Sequence, residues 1–207
     1  MNNQPFDPTT LAISIVSHGQ GLLIKNLLQD LSPLINNGAE VLLTLNIPED
    51  ESFISNFASN IKVIRNKKPI GFGENHNMAN LYTNRDWFVV LNPDVRCNPH
   101  VFSSLITAHK ATGAGVVAPR VLGVNGNTED SARHYPTVSR IFKRVISKIR
   151  GHRLEPDYEL QDGQHIKIDW AAGMFLLFRS SDFRNIGGFD TRFFMYRKTQ
   201  TFAVAST

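Results

Sequence analysis

The sequence predicts an α/β fold in which a mostly parallel sheet is flanked by helices, and three observations point there. Short apolar runs rich in β-branched residues recur at 11–16, 41–45, 61–64, 86–91 and 114–118. Each run is nearly continuous in apolar residues, the pattern of strands buried on both faces. Segments with helical spacing separate most of them, which gives the strand-helix beat of α/β chains.

The first run, 11–16, opens into the loop Ser17, His18, Gly19, Gln20 and Gly21. Leu23, Leu27, Leu28 and Leu31 then recur at three- and four-residue spacing and predict a helix that Pro33 closes, because the residue before proline avoids helical geometry. Asn36, Asn37 and Gly38 predict a turn before the second strand. The acids after Pro48 predict a short helix running to Ala58. Between the third and fourth strands a helix is expected over 78–82. Asn98 and Pro99 start a helix bearing Val101, Phe102, Leu105 and Ile106, stopped near Gly113 before the fifth strand. Residues 122–135 read as a polar surface excursion with a hairpin turn at Asn125 and Gly126. Residues 139–153 read as a basic amphipathic helix, suited either to packing on the domain or to lying on an anionic membrane surface. A further apolar run spans 170–178, and a short helix over 180–186 leads into Gly187, Gly188, Phe189 and Asp190.

A chain of 207 residues, 42% of them hydrophobic, has material for one domain with a core. Its 22 Lys and Arg against 18 Asp and Glu leave a charge of +4, too mild for a nucleic-acid arm. Cys97 is the only cysteine, which excludes an internal disulfide and makes a reducing cytoplasm the expected compartment. No apolar run approaches the roughly 18 residues of a membrane span, and the N-terminus lacks a basic leader region. His109, His134, His152 and His165 show no metal-ligand spacing and are expected at the surface; Trp87 is expected in the core.

In open parallel sheets ligands bind beyond the carboxyl ends of the strands. The loops there are polar: Ser17 and His18 after the first strand, Asn46 and Asp50 after the second, Gly71 through Asn77 after the third, and Asn92, Pro93 and Asp94 after the fourth. Asn92-Pro93-Asp94 is the sharpest, because a carboxylate fixed beyond a buried strand can hold a divalent cation, Mg²⁺ or Mn²⁺, against a diphosphate. Such a metal takes one or two carboxylates and fills its shell with phosphate oxygens and water. Taken alone the tripeptide reads more readily as turn chemistry; the strand that precedes it changes that reading.

Residues 86–95, Asp-Trp-Phe-Val-Val-Leu-Asn-Pro-Asp-Val, resemble the strand and DXD-like motif of family 2 glycosyltransferases, particularly the rhamnosyltransferase-like members of bacterial surface polysaccharide (O-antigen) synthesis. Other segments match in order. Residues 11–19 resemble the family's first strand and nucleotide-contacting loop, with Ser17 and His18 where Thr-Tyr is common. Residues 66–77, with Gly71-Phe72-Gly73 and Asn77, resemble the Gly-Phe loop beside the nucleotide. Trp170 to Gly173, Gly187 to Asp190 and Phe193 to Tyr196 resemble the acceptor-side segment. The resemblance implies a GT-A fold over residues 1–196, with nucleotide-binding and acceptor portions continuous. It implies a divalent metal at Asp94, and a nucleoside-diphosphate sugar (dTDP-rhamnose-like) contacted by Ser17, His18, Asn46, Asp50, Gly71, Asn77, Asn92 and Asp94. It also implies a lipid-linked glycan acceptor near Trp170, Gly173 and Asp190, reached from the cytoplasmic face of the membrane.

Two departures stand out. The family places an Asp that reads the base one position before Asn46, where this chain has Leu45; Asp50 is the candidate to compensate. The family's catalytic base lies in a Glu-Asp pair one residue after the Phe-Phe-Met-Tyr segment, but Arg197 is followed by Lys198 and Thr199, and no Asp or Glu occurs from there to Thr207. Residues 197–207 therefore read as an unrelated tail, the family's later helices as missing, and the chain as a truncated, weakly active or inactive product. A non-catalytic nucleotide-sugar-binding or interaction module is the alternative. Nucleotidyl transfer is disfavoured by the lack of a Gly-rich, Lys- or Arg-bearing phosphate loop after the first strand.

Overall fold

The structure, a computed structural model, describes residues 6–57, 60–123, 132–133, 158, 164–192 and 202–205. The predicted strands form as β1 (Leu11–Ser17), β2 (Glu40–Leu45), β3 (Ile61–Arg65), β4 (Trp87–Leu91) and β5 (Val116–Pro119). Later come β6 (Ala132–Arg133), β7 (His165–Ile168), β8 (Trp170–Ala171), β9 (Phe175–Arg179) and β10 (Phe202–Ala205). The main sheet runs β3-β2-β1-β4-β9-β5-β10-β7, with β6 and β8 paired apart from it. β1 pairs in parallel with both β2 and β4, so the strand order reverses between β1 and β4. That reversal opens a crevice at their carboxyl ends, the place where open α/β sheets take ligands.

Alternation along the strands sorts the core into two layers. Ile13, Ile15, Val41, Leu43, Val89 and Leu91 face α1 (Gly21–Asn36) and α3 (His100–Thr112). Ala12, Leu42, Phe88, Val90, Leu176 and Phe178 face the other way, toward Ala79 of α2 (Phe72–Asn80) and Phe183 of α4 (Ser180–Asn185). Successive residues of a strand point to opposite faces, so a continuous apolar run is what a sheet covered on both sides requires.

Several elements differ from expectation. Pro33 lies inside α1, which runs on to Asn36. The proline removes the N–H that Gln29 carbonyl would accept, and the Ser32 hydroxyl donates to that carbonyl instead at 2.8 Å. Burial of Leu34 and Ile35 then holds the last turn, and the buried stripe starts at Ile24, with Leu23 partly exposed. The expected helix after Pro48 is a single 3₁₀ turn, Ser52–Asn56. α2 begins at Phe72, six residues before the expected helix, so the second half of the presumed Gly-Phe loop is its first turns. The apolar run 170–178 is broken into β8 and β9 by the turn at Gly173 and Met174, and β9 inserts antiparallel between β4 and β5. His109 is buried, its ring edge-on to Trp87 at 5.0 Å; helical burial of the α3 face overrides its polarity. His165 is exposed, whereas His134, His152, Asn125, Gly126 and the basic segment 139–153 lie outside the described residues. Residues 202–205, read as part of an unrelated tail, form β10 between β5 and β7.

Candidate functional site

The polar loops converge at the carboxyl ends of β1, β2, β3 and β4. Asn46, just past β2, is their hub and is nearly fully buried. Its Oδ1 accepts from the backbone N–H of Ile70 (3.0 Å) and from Asn66 Nδ2 (2.8 Å), while its Nδ2 donates to the Ile70 carbonyl (3.1 Å). Those backbone partners fix which end of the amide is which. The same Nδ2 stands 3.2 Å from His18 Nδ1. An amide nitrogen only donates, so His18 Nδ1 accepts and the ring carries its proton on Nε2. His18 is itself exposed and presents an N–H donor at the crevice.

The network continues into α2. Asn66 Nδ2 also donates to Asn75 Oδ1 at 2.7 Å, and Asn75 Nδ2 donates to the carbonyls of Ile70 and Gly71 at 3.2 and 3.1 Å. Asn46 and Asn75, buried with both ends of their amides engaged, rigidify the loops they join. Asn66 and Asn75 carry this arrangement beside the expected Asn46; a run of amide side chains with turn residues between was the signal available for them.

The other expected residues fall into three groups. Ser17 is buried and its Oγ accepts from Gln20 N–H at 3.2 Å, which shapes the turn into α1. Gly71 is the N-cap residue of α2 and accepts from Asn75 through its carbonyl. Asp50 is exposed and turned away: its two oxygens accept from Ser52 N–H (2.9 Å) and Ser52 Oγ (2.8 Å), which hold its carboxyl below the usual range. Neighbouring Glu49, which sequence reasoning passed over, reaches the β1–α1 loop, where its Oε1 accepts from Gly19 N–H at 3.4 Å. Its acid placement after Pro48 suggested service to a following helix, yet the helix start it faces is that of α1. A carboxylate there meets the positive end of the helix dipole and occupies the place a phosphate would take.

The loop after β4 is held at both ends. Asn92 N–H donates to the Met174 carbonyl at 2.8 Å, and Arg96 forks onto Asp30 of α1 through Nε (2.5 Å) and Nη2 (2.7 Å). Asp94 between them is exposed and makes no hydrogen bond or ion pair among the described residues. No group of three His, Cys, Asp or Glu suited to a metal occurs among those residues. The donor set thus fits a cation that arrives with a diphosphate, with one carboxylate from the protein, and does not fit a closed protein-only site. Cys97, next to the Arg96–Asp30 pair, has its thiol pushed up to about 12 by burial and is chemically quiet.

On the acceptor side, Trp170 lies in β8 opposite Arg133, and Gly173 sits above Phe72, whose ring would stand 3.1 Å from an added Cβ. Asp190 is gripped by Arg192, which holds its carboxyl down at about 2. A carboxylate so tied to a guanidinium is a poor proton acceptor. Asn77 departs from expectation: its Nδ2 donates to the Phe189 carbonyl and its Oδ1 accepts from Phe189 N–H, both at 2.8 Å, so its amide serves the Gly188–Phe189 turn.

An α/β sheet with its strand-order reversal at β1 and β4, and a lone carboxylate loop beyond β4, is the architecture of GT-A nucleotide-sugar enzymes. The fold matches Staphylococcus aureus TarS residues 1–349 in complex with UDP-GlcNAc (TM-score 0.58, 14% identity, 95% of this chain and 58% of that one). It matches equally a mannosyltransferase, PcManGT, from Pyrobaculum calidifontis in complex with GDP-Man and Mn²⁺ (TM-score 0.58, 15% identity, 91% and 52%). The profile described as "Glycosyl transferase family 2" matches residues 40–199, and the chain belongs to that family. Among curated relatives it is similar to N-acetylglucosaminyl-diphospho-decaprenol L-rhamnosyltransferase of Mycobacterium tuberculosis, 32% identical over 123 residues that make up 54% of this chain and 38% of the relative. It is 26% identical over 203 residues to rhamnosyltransferase WbbL of Escherichia coli K12, covering 89% of this chain and 72% of WbbL. No helix among the described residues is long and apolar enough to cross a membrane.

Proposed function

We propose that the chain binds a nucleoside-diphosphate sugar, dTDP-rhamnose or a close analogue, at the β1–β4 crevice, as the donor-side portion of a transferase acting on a lipid-linked glycan of O-antigen type. The observation that carries this reading is Asp94: a carboxylate without a partner among the described residues, on a loop braced at both ends, beyond the strand where the sheet order reverses. The two rhamnosyltransferase relatives support the sugar, and the PcManGT structure with GDP-Man and Mn²⁺ supports a divalent ion. In this reading Asn92 and Asp94 face the diphosphate, and His18 Nε2–H and the Asn46 loop face the nucleoside. The ion, when bound, offsets the charge of the departing diphosphate. Trp170, Gly173 and the Asp190 turn border the acceptor, and the enzyme works at the cytoplasmic face of the membrane.

Lys198 and Thr199 stand where the family's acidic pair is expected, and Asp190 is committed to Arg192. The expected outcome is therefore donor binding with little or no transfer. Incubation with dTDP-rhamnose, Mn²⁺ and an N-acetylglucosaminyl-diphospho-polyprenol acceptor checks it: transfer at ordinary enzymatic rates would show that another group serves as base. Slow transfer above a no-protein background separates this reading from the second, a non-catalytic nucleotide-sugar-binding module, which calls for binding with no turnover at all; Lys198 and Thr199 in place of an acidic pair are the observation that favours the second.

A further inference from the structure

Asn75 and Asn77 lie two positions apart on α2, and at 100° per residue their side chains leave the helix on nearly opposite sides. Asn75 is tied to Asn66 and the Ile70–Gly71 carbonyls, hence to Asn46 and His18. Asn77 is tied to Phe189, 112 residues away, by a reciprocal pair of bonds that imitates one rung of a sheet. The fit around that rung is close. Gly188 has φ +71°, and a Cβ on it would overlap Asn77 Oδ1; a Cβ on Gly73 would stand 2.8 Å from Phe189 Cβ. The Phe189 ring is buried among Phe72, His76, Phe178 and Phe183. The nine-residue α2 is thus gripped on both sides.

We propose that Asn77 is a positioning residue that joins the nucleotide-side loops and the Gly187–Asp190 turn into one cooperative unit, so that a ligand stabilising the loops stabilises the turn by the same factor. The inference rests on the nucleotide site proposed above. A ligand present at 100 times its Kd lowers the open population about 100-fold in whatever opens together. The test is hydrogen exchange of the full chain with and without dTDP and Mn²⁺ at that concentration. The reporters are the N–H groups of Ile70 and Asn75 for the loops and of Gly188 and Phe189 for the turn. In the native sequence both sets slow about 100-fold. In Asn77→Asp, which keeps an acceptor for Phe189 N–H but sets oxygen against the Phe189 carbonyl, the loops still slow about 100-fold and the turn less than about threefold. Gly188→Ala breaks the same rung from the other side and gives the same split. A turn that keeps the full factor in both variants, or that never responds while the loops do, overturns the proposal. Loops that do not respond at all refute the nucleotide site itself, and the proposal with it.

Discussion

The polar loops after β2 and β3 and the Gly187–Asp190 turn are both anchored on α2, by opposite means. The loops hang on side-chain amides: Asn46 and Asn75 are fixed by backbone partners, and Asn66 bridges the two. The turn is seated by shape: Phe189 fills an aromatic cavity and glycines let the backbones close, with Asn77 as its single amide clamp. Amide networks lose geometry when one member is cut, because the orphaned groups stay buried; packed aromatics lose mainly stability when truncated.

The largest expected effect is on the packed side. Phe189→Ala removes a ring in contact with four aromatic neighbours and should cost about 3–5 kcal/mol in urea unfolding; a loss under 1 kcal/mol would mean that shape does not seat the turn. On the amide side, Asn46→Ala orphans Ile70 N–H and takes one of two partners from the Ile70 carbonyl and from the Asn66 amide, which keep their bonds to Asn75, at an expected cost of about 1–3 kcal/mol. It should also abolish nucleotide affinity, which Phe189→Ala should leave within a few-fold at temperatures where the variant is folded. Equal effects of both variants on affinity would erase the contrast between the two regions.

The pH dependence of stability is the next largest. His76 lies on the buried face of α2 with Nδ1 2.8 Å from Ser14 Oγ, and full burial pushes its pKa down to about 3. The folded state keeps the ring neutral while the unfolded chain takes a proton below about 6.5, so this contribution is complete above pH 6.5 and is lost as pH falls toward 3. Between pH 7.5 and pH 5 the loss should be about 2 kcal/mol, read as a steeper fall in unfolding free energy than in His76→Phe. A parallel pH profile in that variant would show that His76 is not the titrating group.

The sheet was legible because parallel strands buried on both faces must be continuously apolar, as β1, β2, β4 and β5 largely are; the edge strand β3, partly exposed and carrying Lys62 and Arg65, showed through Ile61, Val63 and Ile64, and all five lie within two residues of the expected runs. Helix boundaries were less so. Pro33 misled because Ser32 compensates the carbonyl it orphans, and α2 was placed late because its amide-rich first turns, Phe72 to Asn77, carry no apolar period. That the polar loops gather at one edge of the sheet followed from their places after β1, β2, β3 and β4, while the partners of each side chain did not. Asp50 and Glu49 are adjacent acids, and only the path of the chain decides that one serves Ser52 and the other Gly19. Asn77 sits in a nucleotide-like motif, but its partner is 112 residues distant and leaves no local trace.

The smallest expected change in stability comes from the residue with the largest expected role in binding. Asp94 is exposed and unpartnered among the described residues, so Asp94→Asn should shift unfolding free energy by less than about 0.5 kcal/mol. Calorimetric titration of dTDP into the native chain and into Asp94→Asn, each with Mn²⁺ and with a chelator, tests the central claim most directly. The site described here predicts metal-dependent binding in the native chain that falls at least tenfold in the variant and without metal. Binding that is equally strong in all four conditions, or absent from the native chain with Mn²⁺, would contradict it.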